Sequence, residues 1–503
     1  MTVTRNGARP TRSAVDEKES LAMEARTTMN RRSFLATGAA GTAGIIAGMQ
    51  TPTAAPIPHN HVVTGVPGKK LVGYYSTMEE ILGEPKYLDA LQKQFGVNVL
   101  LCSPPIKMPQ WMRDLNPIGP NRTLVARAHT DDDTDVFRAV EETHRRGMDF
   151  WLYYTGHHYG AESRPIMSET FDGIKFLDLP SVKYSLENMR TSCFTKPVVK
   201  EYEPACFAYG AATYGADSMY VSHYRYANPS YWMNLFGCAC PYCQDEAVAM
   251  GYDFGKMKRA MTSLLKSLKK LDKGTVEKVA EVRLTFTDFL VMLGDDDGVL
   301  DWIKFRAKVV GNQLKRINGA VRTATSGRCG FITDTHNPTL AILVGHDYAD
   351  FFDGASDAFH TLSWCSTQHV SVVAAWANQL CEWVPGLDGK TAVRAVSKLF
   401  GWDEIGLPED NPWSVIGLNN PDDKFSIPQF YEMFNPDRTI SLMTHEWTRL
   451  AAINNGRLPA HPVIKADVWP EKVCRELMDR AVDLGLTGYV LQRTNNLIDK
   501  SKL

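Results

Sequence analysis

Residues 206–257 read CFAYGAATYGADSMYVSHYRYANPSYWMNLFGCACPYCQDEAVAMGYDFGKM, and this stretch decides the fold. Residues 217–221 form an apolar run with strand character, opening into the polar, aromatic cluster Ser222-His223-Tyr224-Arg225-Tyr226. A Cys238-x-Cys240-Pro241-x-Cys243 loop and a helix follow. A buried strand that ends in chemically rich residues and a structured loop is how a (β/α)8 barrel presents functional groups at its C-terminal face.

Working outward, the same alternation recurs. Residues 71–75, 97–102 and 150–154 predict strands, with helices over 87–95 and 136–146 between them. Downstream, 254–271 and 300–321 predict helices, 329–333 and 358–362 strands, 463–467 a strand end, 470–484 a helix and 488–491 the last strand. Strand and helix in alternation favour a parallel sheet with crossover helices, and about eight such units make a TIM barrel. Residues 163–205 read as an irregular loop over the barrel mouth, and 385–440, rich in Pro, Asn and Asp, as an insertion with short helices. The expected division is a leader over 1–55, a linker over 56–69, the main barrel over 70–384, the insertion over 385–440 and barrel completion over 441–503. No internal sequence repeat is visible.

Composition is that of an ordinary globular chain: 503 residues, 44% apolar and 22% charged. A net charge of −2 and the lack of a basic patch argue against a nucleic-acid partner. The N-terminus is a leader rather than part of the fold. Arg31-Arg32-Ser33-Phe34-Leu35 precedes a weakly apolar, small-residue run over 36–49, the pattern of a twin-arginine export signal. That run is too short for a membrane span, so the expectation is an exported protein, periplasmic or extracellular, that uses the twin-arginine machinery and has no stable membrane anchor. Cleavage fits after either Ala54 or Ala55.

The Cys238-x-Cys240-Pro241-x-Cys243 loop with Gly251-Tyr252-Asp253-Phe254 resembles a loop of bacterial glycoside hydrolase-like barrel proteins. Trp302-x-x-Phe305-Arg306, Gly345-His346-Asp347-Tyr348 with Asp357, and Leu484-Gly485-Leu486-Thr487-Gly488 fit the same group in order and spacing. The resemblance spans about residues 70–370 and 455–495. It implies an enzyme that cleaves glycosidic bonds of an oligo- or polysaccharide. One departure matters: where such proteins often place an Asp at the end of the fourth strand, this chain has Ser222. A rearranged site, or a barrel that binds carbohydrate without cleaving it, fits that change.

Glycoside cleavage takes an acid to protonate the leaving oxygen and a carboxylate as base or nucleophile. The carboxylates at expected strand ends are Asp334, Glu162 and Asp467, the catalytic candidates. The plainer use of Asp334 is an Asx turn with His336-Asn337-Pro338. His157, His158, His223 and His336 fall on the same face; with a carboxylate they are candidates to hold a metal in an isomerase, epimerase or lyase, or to bind sugar hydroxyls. Ser222, Tyr224, Arg225, Trp364 and Glu382 complete the expected substrate-binding set. No cofactor is required by this chemistry. Cys238, Cys240 and Cys243 have the spacing for a structural zinc, with Cys206 or Cys193 as fourth ligand. A disulfide or free thiols fit the same spacing.

Overall fold

In the computed structural model eight parallel strands close on one another in chain order, the eighth pairing with the first. They are β1 (Leu71–Ser76), β2 (Val99–Cys102), β3 (Asp149–Thr155), β4 (Ser218–Ser222), β5 (Gly330–Thr335), β6 (Ala358–Thr361), β7 (Ala460–Ile464) and β8 (Gly488–Gln492). Helices lie between successive strands, and the chain is a (β/α)8 barrel. The structure describes residues 70–116, 129–155, 161–186, 191–230, 232–282, 288, 297–362, 364–494 and 496–503. The chain divides into Met1–Pro58 and His59–Leu503. The expected leader and linker lie outside the described residues.

Period-two alternation sorts the strand residues into two layers. Leu71, Val99, Leu101, Trp151, Tyr220, Ile332, Ala358, Val463 and Val490 form one cluster that draws on every strand, with Tyr75 and Tyr153 against it; this is the barrel interior. Residues of the other parity, among them Val72, Leu100, Phe150, Leu152, Met219, Val221, Phe331, Phe359 and Leu491, belong to the layer between strands and helices. Both faces are buried, so the strands read as near-continuous apolar runs. Full burial contributes about 1.5–3 kcal/mol per large apolar side chain, which makes the two layers the main stabilising term.

The N-terminal end of the barrel carries a four-fold device. The residue before each even-numbered strand accepts a hydrogen bond from an amide of the preceding odd-numbered strand. Asn98 accepts from the Val72 N–H at 2.9 Å, Asp217 from Phe150 at 2.8 Å, Asp357 from Phe331 at 2.9 Å and Thr487 from Ala460 at 2.8 Å. Strand-start amides that would otherwise be buried without partners are thereby satisfied.

The region expected as an irregular loop over 163–205 changes character at Pro197. Pro197–Tyr214 is a helix, with Pro in its first turn and Gly215 at φ 66 behind it. It is buried on most sides against β4 and the Gly298–Thr325 helix, which erases the one-sided periodicity that marks a surface helix. Gly210 is required there, because a Cβ would lie 2.8 Å from the Tyr154 hydroxyl. The 385–440 insertion holds the helices Gly389–Phe400, Pro412–Val415 and Ile427–Phe434. Among the described residues no helix is long and apolar enough to cross a membrane.

Candidate functional site

Inner-face parity brings Ser222 to the end of β4 and Asp334 to the end of β5, where both are buried. Ser222 Oγ donates to Asp334 Oδ2 at 2.5 Å, and the His223 N–H donates to both carboxylate oxygens at 2.9 Å. Ser222 Oγ also lies 2.7 Å from His223 Nδ1. His223 takes φ 62, the left-handed region that a β-carbon disfavours. The strain is held at the residue whose amide grips Asp334. Below this cluster, the Tyr75 and Tyr220 hydroxyls meet at 2.8 Å, and the rings of Tyr75, Tyr153 and Tyr220 pack with centroids 5.2–6.1 Å apart.

Further buried polar groups follow β4, β5 and β6 in the chain. Arg225, His336, Asn337, Gln368 and His369 are each about 1% exposed or less. Among the described residues no hydrogen bond of normal geometry reaches the His336 ring nitrogens, the Asn337 amide, Gln368 Oε1 or His369 Nε2, although the Asn337 amide lies close enough to the His336 ring to favour its charged form. Burial, with Arg225, His369 and His346 nearby, drives His336 far below the usual histidine range, so its ring is neutral. His346 is structural: its Nδ1 accepts from the His336 N–H at 2.9 Å, and Nε2 sits 3.1 Å from the Tyr224 carbonyl. That fixes the Nε2–H tautomer.

A third group gathers beyond β7. Lys465 Nζ lies over the Trp364 ring, 3.4 Å from its centroid, and 3.7 Å from Asp467 Oδ1. Asp467 Oδ2 is 3.3 Å from Arg493 Nη1. Asp467 was expected at a strand end; β7 stops at Ile464, and Asp467 stands in the turn that follows. Burial draws the Lys465 ammonium down to about 8, with Asp467 opposing the shift.

The remaining expected residues distribute as follows. The Tyr224 hydroxyl donates to Glu203, a buried residue of the Pro197–Tyr214 helix. Glu382 is exposed near the end of the Ser371–Trp383 helix, bonded to Asn378 at 2.7 Å, and does not join the cluster. His157 and His158 lie outside the described residues, as does the side chain of Glu162. Reading the sequence for strand-end carboxylates overlooks Lys465, Asn337, Gln368 and His369; alternation along 461–465 was the available signal for Lys465. A surface depression of about 310 Å³ lined by Ile342, Phe352 and Arg457 includes neither Asp334 nor Lys465.

Cys193, Cys238, Cys240 and Cys243 form one buried group, their sulfurs all within 4.8 Å of one another. Cys193 Sγ is 3.5 Å from Cys240 Sγ and 3.6 Å from Cys243 Sγ, and Cys240 to Cys243 is 3.8 Å. A tetrahedron of thiolates ~2.3 Å from zinc has edges of about 3.8 Å, so the set fits that ion. No disulfide joins these four cysteines in this structure. The fourth member is Cys193; Cys206 is buried on the Pro197–Tyr214 helix outside the group. The Glu169 N–H points at Cys238 Sγ at 3.4 Å. Buried Arg306, held by the carbonyls of Leu343 and Asn234, supplies positive charge beside Cys238 and Cys243.

No protein-family model matches the chain, and no curated protein matches it. Among solved structures it is similar to the PgaB (BpsB) glycoside hydrolase domain from Bordetella bronchiseptica, at 8% identity and TM-score 0.42, over 86% of this chain and 97% of that one. The catalytic domain of beta-amylase from Paenibacillus polymyxa is similar at 12% identity and TM-score 0.42, over 86% and 93%. Alpha-L-fucosidase isoenzyme 2 from Paenibacillus thiaminolyticus is similar at 10% identity and TM-score 0.31, over 84% and 64%. At that distance the similarity carries no functional argument; the barrel stands on its own strand pairing.

Proposed function

We propose that this protein is an exported glycoside hydrolase-like enzyme that cleaves glycosidic bonds at the C-terminal face of its barrel. One observation carries the reading: Asp334 is a buried carboxylate at a strand end, gripped by the Ser222 hydroxyl and the His223 amide. Donors that converge on a carboxylate suit its charged form, the form needed for a base or nucleophile. Asp467 or Glu162 supplies the second carboxyl group. Tyr75 and Tyr153, partly buried above the interior cluster, offer ring faces to a sugar. The buried polar side chains of His336, Asn337, Gln368 and His369 carry donors and acceptors of the kind that sugar hydroxyls take.

Two further parts complete the reading. Zinc held by Cys193, Cys238, Cys240 and Cys243 braces the loop after β4, and as a closed four-thiolate site it takes no part in chemistry. The paired arginines Arg31 and Arg32 direct the folded protein to the twin-arginine machinery.

The test is a product screen of the mature protein on oligosaccharides and aryl glycosides, read by mass spectrometry with and without EDTA. Hydrolysis that persists in EDTA and disappears in D334N supports the reading. Full activity of D334N would remove Asp334 from the mechanism. Activity lost on chelation while the fold persists would favour a metal-dependent reaction that uses the histidines.

A further inference from the structure

Lys465 stands where the inner alternation of β7 runs out. His461 and Val463 face the barrel interior, and Lys465, one residue past the strand, continues that set. Its side chain is 4% exposed. At 3.7 Å, Nζ and Asp467 Oδ1 are within ion-pair range but beyond hydrogen-bond distance, and among the described residues that buried oxygen has no hydrogen-bond partner. The other oxygen, Oδ2, faces Arg493. Tyr431 and Cys474, also near Asp467, are pushed up by burial and stay neutral. Arg493 already gives Asp467 a cation, so charge balance does not explain a buried lysine here. What the geometry presents is an amine in a partly apolar setting, against an indole face, with a carboxylate oxygen 3.7 Å away. Desolvation of this kind makes lysine a nucleophile.

We propose that Lys465 forms a reversible imine with the aldehyde of an open-chain sugar at the barrel mouth, and that Asp467 is its proton-transfer partner. The Nζ lone pair attacks the carbonyl carbon, and the C=O π electrons move to oxygen. Asp467 takes one N–H proton and passes it to that oxygen, which gives the carbinolamine. The second N–H proton travels the same way to the hydroxyl, which departs as water while nitrogen closes the C=N bond. Amine and aldehyde become imine and water, with no oxidant or reductant. The Trp364 face and Asp467 stabilise the iminium form as they do the ammonium. This step does not depend on glycosidic cleavage, so it stands or falls separately from the role of Asp334.

Lys465 titrates near 8, so at pH 8 its free-amine fraction exceeds that of an ordinary lysine by about a hundredfold. The test treats the full-length protein with glyceraldehyde and sodium cyanoborohydride and maps adducts by peptide mass spectrometry. Lys465 is expected to label at least about tenfold faster than exposed Lys270 or Lys502, with a rate that climbs through pH 8. K465R, which keeps the cation, loses this fast adduct, and D467N slows labelling of Lys465. Labelling of wild-type Lys465 no faster than Lys270 at any pH would overturn the proposal. That comparison needs no variant, so a K465R protein that fails to fold leaves the test intact.

Discussion

Ser222 Oγ lies 2.5 Å from Asp334 Oδ2, so the hydroxyl that ends β4 holds the carboxylate that ends β5. Ser222, where the sequence reading looks for a carboxylate, is therefore not an empty place. The carboxylate stands one strand over, and Ser222 with the strained His223 amide orients it.

That division of labour makes the two residues unequal. D334N is expected to lower kcat/KM on a cleaved glycoside by on the order of 10²–10⁴-fold, the usual worth of a positioned acid or base. S222A keeps the His223 amide contacts and is expected to lose only about tenfold. Parallel kinetics of the two variants decide it; equal losses would make Ser222 a participant in the chemistry rather than an orienting group.

The sulfur cluster predicts metal content. Purified protein is expected to hold about one zinc per chain, as a four-thiolate site does. C193S and C243S should lose it, with lower thermal midpoints, while C206S retains it. Elemental analysis beside thermal unfolding checks this; unchanged zinc in C193S would place the fourth ligand elsewhere.

Much of this arrangement is legible in the sequence, because apolar alternation and polar strand ends are local signals. That reading places Asp334, Ser222 and His223 at or beside strand ends, where they stand. Cys193 was one of two options for the fourth thiol, since it precedes the other three by a helix and spacing cannot choose between Cys193 and Cys206. The four-fold device at the barrel floor was invisible: Asn98, Asp217, Asp357 and Thr487 share a role without sharing a residue type. Glu203 was missed because its helix is buried on several sides, and a lone acid there looks like any surface charge.

Glu203 should set a pH dependence of stability. Burial pushes it up to about 8 from the usual 4.5, against the hydrogen bonds from Tyr224 and Gln313 that hold it down. The folded chain thus keeps a proton that the unfolded chain releases near 4.5. The resulting stability is complete below that pH and is lost as pH rises through 8. The change is on the order of a few kcal/mol. E203Q mimics the protonated acid and should flatten the decline. Chemical denaturation of both proteins from pH 5 to 9 measures it, and parallel curves would count against a protonated Glu203.

Asp217, just before β4, and Asp334, near the end of β5, stand at opposite ends of the barrel, and the proposed mechanism gives them different work. Asp217 takes the Phe150 N–H at 2.8 Å and lies 2.8 Å from His144 Nε2, so its removal leaves a buried amide unsatisfied. D217A is expected to cost about 1–3 kcal/mol, and D357A a similar amount through the Phe331 amide. Neither residue faces the mouth, so kcat/KM of the folded fraction should stay within about twofold of wild type. D334N should do the reverse, with activity lost and the unfolding midpoint changed far less than the activity. Urea titrations paired with kinetics on the three variants test this. A D217A protein of full stability would show that the floor contacts are dispensable, and one that is stable but inactive would move the site to the other end of the barrel.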